Sequence, residues 1–118
     1  MTTILYVEDH PPARLLMQAI VAEMTDYTLL DAENGEQARH IATQAKPDLY
    51  ILDMDLPDTN GVELSAVLHE IHPAPVIVVS AYAEAIQTGH LQETVTYYMA
   101  KPLDPDRVTE LIQRALTG

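Results

Sequence analysis

The chain has no cysteine, no tryptophan, only 4 glycines and only 6 basic residues among its 118. Without cysteine there is no thiol nucleophile, no disulfide scaffold, no Cys-ligated zinc and no iron–sulfur cluster. With so few glycines, neither the GxxxxGK nor the GxGxxG phosphate loop is present, which removes the usual nucleotide-binding readings. The basic residues (Arg14, Arg39, Lys46, Lys101, Arg107, Arg114) never cluster, and 18 acidic residues bring the net charge to -12. That balance argues against direct binding to nucleic acid and favours basic protein faces and divalent cations. Long apolar runs are also missing. The longest aliphatic stretch, 76–79, is far too short for a bilayer, and residues 1–7 have no basic flank, so no membrane insertion and a cytoplasmic location are expected.

What remains is globular. Hydrophobic residues make up 47% and charged residues 20%, and surface scaling lets a chain of this mass bury about two-thirds of its unfolded surface. No repeat, linker or low-complexity stretch divides it, so one domain over 1–118 is expected.

Hydrophobic periodicity alternates between strand and helix. Residues 3–7 read as a buried strand that stops at Glu8, Asp9 and His10. Pro11 and Pro12 suit a first helical turn, and Leu15, Leu16, Ala19, Ile20 and Met24 mark a helix over 11–24 whose apolar stripe faces the core. A strand over 27–30 precedes Asn34 and Gly35 as turn and cap, then a helix with Ala38, Ile41, Ala42 and Ala45 inward, stopped by Pro47. Residues 49–52 form a third strand ending at Asp53, followed by a polar turn and a helix with Leu64, Val67, Leu68 and Ile71 inward. Residues 76–79 are the fourth strand, ending at Ser80. A weaker helix is predicted over 83–91, and a fifth strand over 94–99. Asp104 and Pro105 then open a last helix with Val108, Leu111, Ile112 and Leu116 inward.

Such alternation implies parallel strands joined by right-handed crossovers, a doubly wound α/β fold. Its binding crevice lies beyond the carboxyl ends of the strands. That rule gathers Glu8, Asp9, Asp53, Ser80 and Lys101. Three neighbouring carboxylates repel one another by about 1 kcal/mol per pair in water and about 4 at an effective dielectric of 20, so they call for a cation. A hard ion such as Mg²⁺ binds one or two carboxylates and leaves positions for phosphate oxygens. Lys101 adds a mobile positive charge, and the Ser80 hydroxyl can donate to an oxyanion. Together they describe a site for a phosphoryl group in transit, with Asp53 as nucleophile and an aspartyl phosphate as product. A strand-end aspartate alone is usually a cap or turn residue; five suited groups at five matched positions are another matter.

The segments Ile4-Leu5-Tyr6-Val7-Glu8-Asp9, Asp53-Met54-Asp55-Leu56-Pro57 running on to Gly61, Val78-Val79-Ser80-Ala81 and Tyr98-Met99-Ala100-Lys101-Pro102 resemble, in order and spacing, the response-regulator receiver domain of bacterial two-component signalling. The resemblance covers essentially the whole chain. It implies a flavodoxin-like or CheY-like sheet of order 2-1-3-4-5 with five helices. It implies that Asp53 accepts phosphate from a sensor histidine kinase or a histidine phosphotransfer protein, and that Asp9, Asp53 and the backbone carbonyl of Asp55 hold Mg²⁺, or Mn²⁺ in its place, with Glu8 acting mainly through water. Lys101 would pair with Asp53 or its phosphate, Ser80 would turn its hydroxyl to a phosphate oxygen, and Tyr98 would rotate into the space that Ser80 leaves. The peptide before Pro102 would be cis. The face built by the fourth helix, last strand and last helix would then signal to a downstream protein target or to a second copy in a phosphorylation-dependent dimer. Such a domain is no enzyme on separate substrates, although it assists its own phosphorylation and dephosphorylation.

Asp55 and Tyr82 stand where the family tunes phosphate lifetime, and Glu8 stands where many members carry aspartate. His69 and His72, flanking Glu70, lack a third metal ligand, and His10 reads as a solvated turn residue. Tyr97 should point to the opposite side of its strand from Tyr98. One rival is a haloacid-dehalogenase-like phosphatase, which Asp53-x-Asp55 superficially matches, but that family carries its nucleophile on the first core strand. A docking-only receiver is the other, and all five chemical groups being present speaks against it. The chain stops directly after its last helix, which is expected of a single-domain regulator or of a receiver cut from a longer protein.

Overall fold

The computed structural model describes residues 2–81 and 94–117. Within them the chain runs β1 (Thr3–Val7), α1 (Pro11–Met24), β2 (Thr28–Ala32), α2 (Gly35–Ala45), β3 (Leu49–Asp53), α3 (Gly61–Ile71), β4 (Val76–Ser80), β5 (Tyr97–Ala100) and α4 (Pro105–Thr117). The five strands form one sheet of order β2-β1-β3-β4-β5, and every neighbouring pair is parallel. The helix predicted over 83–91 lies outside the described residues.

Strand alternation divides the core into two layers. Ile4, Tyr6, Ile51, Ile77 and Val79 pack on one face with Met17, Ile20 and Val21 of α1 and Val108, Leu111 and Ile112 of α4. Leu5, Val7, Tyr50, Leu52, Val76 and Val78 pack on the other with Ala38 and Ala42 of α2 and Leu64 and Leu68 of α3. The sheet is therefore covered on both sides, which is why β3 and β4 are buried at every position.

Local chemistry sets the helix ends. Pro11 opens α1. The Asn34 side chain accepts the Gln37 N–H at α2, and Asn60 accepts that of Glu63 at α3. Lys46 closes α2 in the left-handed region at φ 49°, just before Pro47 forbids another turn. Asp104 takes the Asp106 N–H on its side chain at the start of α4, as its sequence position predicts.

The inner faces differ from the prediction in places. Leu15, Leu16, Ala19 and Met24 are exposed; of the predicted stripe Ile20 is buried, and α1 buries Met17 and Val21 beside it. With apolar residues at most positions of α1, more than one stripe satisfies the helical period, and docking beside α4 chooses between them. On α3 the buried set is Gly61, Leu64, Ser65 and Leu68, whereas Val67 faces out. Ala45 is exposed at the end of α2, and on α4 Ala115 is buried while Leu116 is only partly so. The second strand begins at Thr28 and reaches Ala32, and the fifth begins at Tyr97.

Candidate phosphoacceptor site

The strand order reverses between β1 and its neighbours β2 and β3, so the crevice opens beyond the carboxyl ends of β1 and β3. Glu8 follows β1 directly, and Asp53 is the last residue of β3. Both are buried, Glu8 wholly and Asp53 to 4% exposure, whereas Asp9 is exposed. One oxygen from each of Glu8, Asp9 and Asp53 can be chosen so that all lie within 4.8 Å of one another.

Lys101 follows β5, two strand positions from β3, or about 10 Å at ordinary strand spacing. Its long side chain crosses that gap. Lys101 Nζ lies 2.9 Å from Glu8 Oε1 and 3.0 Å from Asp53 Oδ1, and its own backbone N–H is tied to the Ser80 carbonyl at 2.9 Å. The Lys101-Pro102 peptide is cis, as the resemblance implies.

The electrostatics follow from this crowding. Burial pushes Asp53 up to about 6; the Lys101 hydrogen bond opposes the rise, and the Glu8 charge adds to it. Burial acts on Glu8 in the same sense, yet the hydrogen bonds from Lys101 and Asp53 outweigh it and hold Glu8 below the usual carboxylate range. Burial would lower Lys101, but its hydrogen bonds to Glu8 and Asp53 prevail and raise it. With all three carboxylates ionised against one ammonium, the site is short of two positive charges.

The loop after β3 is closed by Leu56 N–H on the Thr59 carbonyl and Gly61 N–H on the Met54 carbonyl, an arrangement that pairs Asp55 with Asn60. The Asp55 carbonyl takes no part in closing the loop. Gly61 is required by proximity: a Cβ there would meet the Asp53 carbonyl oxygen at 2.8 Å and Val78 Cγ1 at 3.2 Å. That contact is the physical reason for a glycine eight residues beyond the acid.

Ser80 ends β4 one residue past Val79, the partner of Asp53 across the sheet, and is buried. Tyr98 pairs with Val78 and is half-buried against the α2–α3 layer, while Tyr97 packs on the opposite layer, as predicted. His10 is exposed at the N-cap of α1. Tyr82 lies outside the described residues.

Three residues escaped the sequence reading. Arg14 donates from Nη1 to the Glu8 carbonyl at 2.8 Å and from Nη2 to Glu33 at 3.1 Å, bracing the turn that carries the acidic pair. Asp58 accepts the Gly35 and Glu36 N–H groups at 2.8 and 3.0 Å, clamping the β3–α3 loop to the first turn of α2. Tyr6 lies fully buried two residues before Glu8. None has a signature at short range, since the partners of Arg14 and Asp58 are distant in sequence and Tyr6 reads as an ordinary strand residue.

A family model described as the response regulator receiver domain matches residues 4–113. The chain belongs to the response-regulator receiver domain family. It is 32% identical over 98% of its length to the nitrate/nitrite response regulator protein NarL of Escherichia coli, and 34% identical over 97% to the phosphate regulon transcriptional regulatory protein PhoB of Pseudomonas aeruginosa. Those alignments cover 55% and 51% of the relatives, so this receiver spans about half the length of the curated relatives it matches. It also matches 13% of the signal transduction histidine-protein kinase BarA of E. coli at 31% identity, across 98% of this chain. Among solved structures, the response regulator TrrA of Thermotoga maritima, in complex with Mg²⁺-BeF, superposes with a TM-score of 0.87 at 28% identity, covering 98% of this chain and all of that one. The haloacid-dehalogenase reading falls with this membership and with the place of Asp53 on the third strand, and no helix among the described residues is long and apolar enough to cross a membrane.

Proposed function

We propose that this receiver, read as one domain over 1–118, takes a phosphoryl group onto Asp53 and holds it as an aspartyl phosphate. The observation that carries this reading is the buried Asp53 carboxylate held 3.0 Å from Lys101 beside Glu8 and Asp9. One Asp53 oxygen attacks phosphorus as the bond to the donor's leaving group breaks; the donor is a phosphohistidine of a sensor histidine kinase or phosphotransfer protein, or a small acyl phosphate. Lys101 stays with the transferred oxygens, and Ser80 donates its hydroxyl to one of them.

The residues fit a hard divalent ion. The donors are all oxygen, three carboxylates converge, and Glu8 Oε2 is buried without a hydrogen-bond partner. Asp9, Asp53 and the Asp55 carbonyl would hold Mg²⁺ or Mn²⁺, with Glu8 acting through its hydration shell. The ion supplies charge neutralisation for the phosphoryl oxygens. The solved TrrA complex, which contains Mg²⁺ and a beryllium fluoride, supports this reading.

Phosphate adds about two charges and three acceptor oxygens where Ser80 and Lys101 respond. Because Lys101 is anchored to Ser80 through the backbone, movement at one is felt at the other, and Tyr98 stands beside them on β5. That would carry the signal to the face of β5 and α4, for a downstream protein target or a phosphorylation-dependent dimer. Asp55 and Tyr82 would tune phosphate lifetime. A cytoplasmic location and the absence of turnover on separate substrates belong to the same reading.

The test is incubation with Mg²⁺ and acetyl phosphate, read by intact mass. A labile gain of one phosphate is expected, abolished in Asp53→Asn and dependent on the metal. Label at another residue, or steady hydrolysis of unrelated phosphomonoesters, would overturn the assignment.

A further inference from the structure

Among the described residues, two buried side-chain polar atoms have no hydrogen-bond partner, Tyr6 Oη and Glu8 Oε2. They belong to residues two apart, Tyr6 on β1 and Glu8 directly after it, hence on one side of the chain as the strand alternation continues, and both residues are completely buried. Strand side chains lean along the strand direction, so a tyrosine ring reaches toward the residue two positions on. Burial holds the phenol up, followed by the Glu8 and Asp53 charges and the pull of the Glu8 carboxylate as an acceptor, and no hydrogen bond is made to its hydroxyl.

Leaving a buried phenol and a buried carboxylate oxygen each unpaired is costly, more so for the charged one, and two such atoms two residues apart call for a cause. Glu8 Oε1 is occupied by Lys101 at 2.9 Å. That ammonium also serves Asp53, so a phosphoryl group on Asp53 draws it away from Glu8. Glu8 Oε1 would then have lost its hydrogen bond from the ammonium. Among the described residues, the Tyr6 hydroxyl is a buried donor with no partner, on the same side of the chain as Glu8.

We propose that Tyr6 is a positioning residue for Glu8: its hydroxyl donates to Glu8 Oε2, turning Oε1 toward the divalent cation and holding the carboxylate in place when Lys101 moves to the phosphoryl group. The longer glutamate, in place of aspartate, is what brings its oxygens within reach of a phenol two residues back. The proposal rests on the reading that the Glu8, Asp9 and Asp53 cluster binds Mg²⁺, and outer-shell partners of this kind change metal affinity by about 10–100-fold.

The experiment is a Mg²⁺ titration of wild type, Tyr6→Phe, Glu8→Gln and the double variant, followed by NMR of ¹³Cζ-labelled tyrosine and by calorimetry. Tyr6→Phe should weaken Mg²⁺ binding about tenfold and should have no further effect once Glu8 is Gln. The Tyr6 ¹³Cζ resonance of the wild type should move with the same Mg²⁺ dependence, a readout that needs no variant to fold. Equal affinities of wild type and Tyr6→Phe, additive effects in the double variant, or a Tyr6 resonance indifferent to Mg²⁺ would each overturn the role of Tyr6. A wild type that fails to bind Mg²⁺ at all would instead overturn the metal site itself.

Discussion

Asp53 is strained electrostatically before any ligand arrives. Burial raises it to about 6 from an ordinary 3.8, so between those values the folded protein binds more protons than the unfolded chain. Stability contributed at this residue is therefore greatest below pH 4 and falls as pH rises toward 6. Glu8, which burial would raise but the Lys101 hydrogen bond holds low, acts in the opposite sense, and its contribution is lost as pH falls below the ordinary glutamate range. Lys101, held high by its two carboxylates against burial, keeps its contribution until pH rises past the ordinary lysine range. Without divalent cations, Asp53→Asn should thus raise stability at pH 7–8 by on the order of 2 kcal/mol, a gain that shrinks steadily on acidification and disappears near pH 4. Thermal melts of both proteins across that range check the sign; an Asn variant less stable than wild type at pH 7.5 would contradict it. The identities of these three residues could be read from the strand ends, but the opposite shifts of Asp53 and Glu8 depend on how burial and the hydrogen bonds around Lys101 balance at each carboxylate.

At the scale of elements, the β3–α3 connection shows how one backbone contact positions chemistry. Helix α3 begins so close to β3 that its first residue must lack a side chain, since a Cβ on Gly61 would stand 2.8 Å from the Asp53 carbonyl oxygen. Alanine is the better helix former by about 1 kcal/mol, yet neither the carbonyl nor the strand can yield cheaply. Gly61→Ala should be net destabilising by about 1–3 kcal/mol and should slow phosphorylation by acetyl phosphate, because relief of the clash displaces Asp53; a denaturant melt and a labelling time course test both. Helix ends were largely legible, because proline, asparagine and aspartate mark them through local hydrogen bonds and fixed φ. The inward face of α1 was not. Leu15, Leu16 and Met24 satisfy helical spacing with Ile20 as well as Met17 and Val21 do, and only the position of the sheet and α4 buries Met17 and Val21 beside Ile20. The clamp from Asp58 onto α2 was equally invisible, being a contact across 22 and 23 residues.

For the whole molecule, the concentration of negative charge at one edge of the sheet makes cation binding a stability term. A ligand that binds only the folded form adds about 2.7 kcal/mol at one hundred times its dissociation constant. Saturating Mg²⁺ should accordingly raise the melting temperature by on the order of 10 °C, with little effect in Asp53→Asn, and should reverse the advantage that this variant holds in metal-free buffer. A scan with equal ionic strength of NaCl separates specific binding from screening of the net charge of -12. No shift beyond that control would count against the metal site.

The linear sequence determined the alternation of strands and helices, the two-sided burial of the sheet and the kinds of group at its carboxyl edge, because period, capping and propensity act over a few residues. The tertiary structure decided what those groups do to one another. The Lys101 ammonium meets Glu8 across 93 residues of chain, Arg14 braces the Glu8 carbonyl, and Asp58 clamps the first turn of α2. Those relations arise from strand order and side-chain reach, which exist only once the sheet has closed around them.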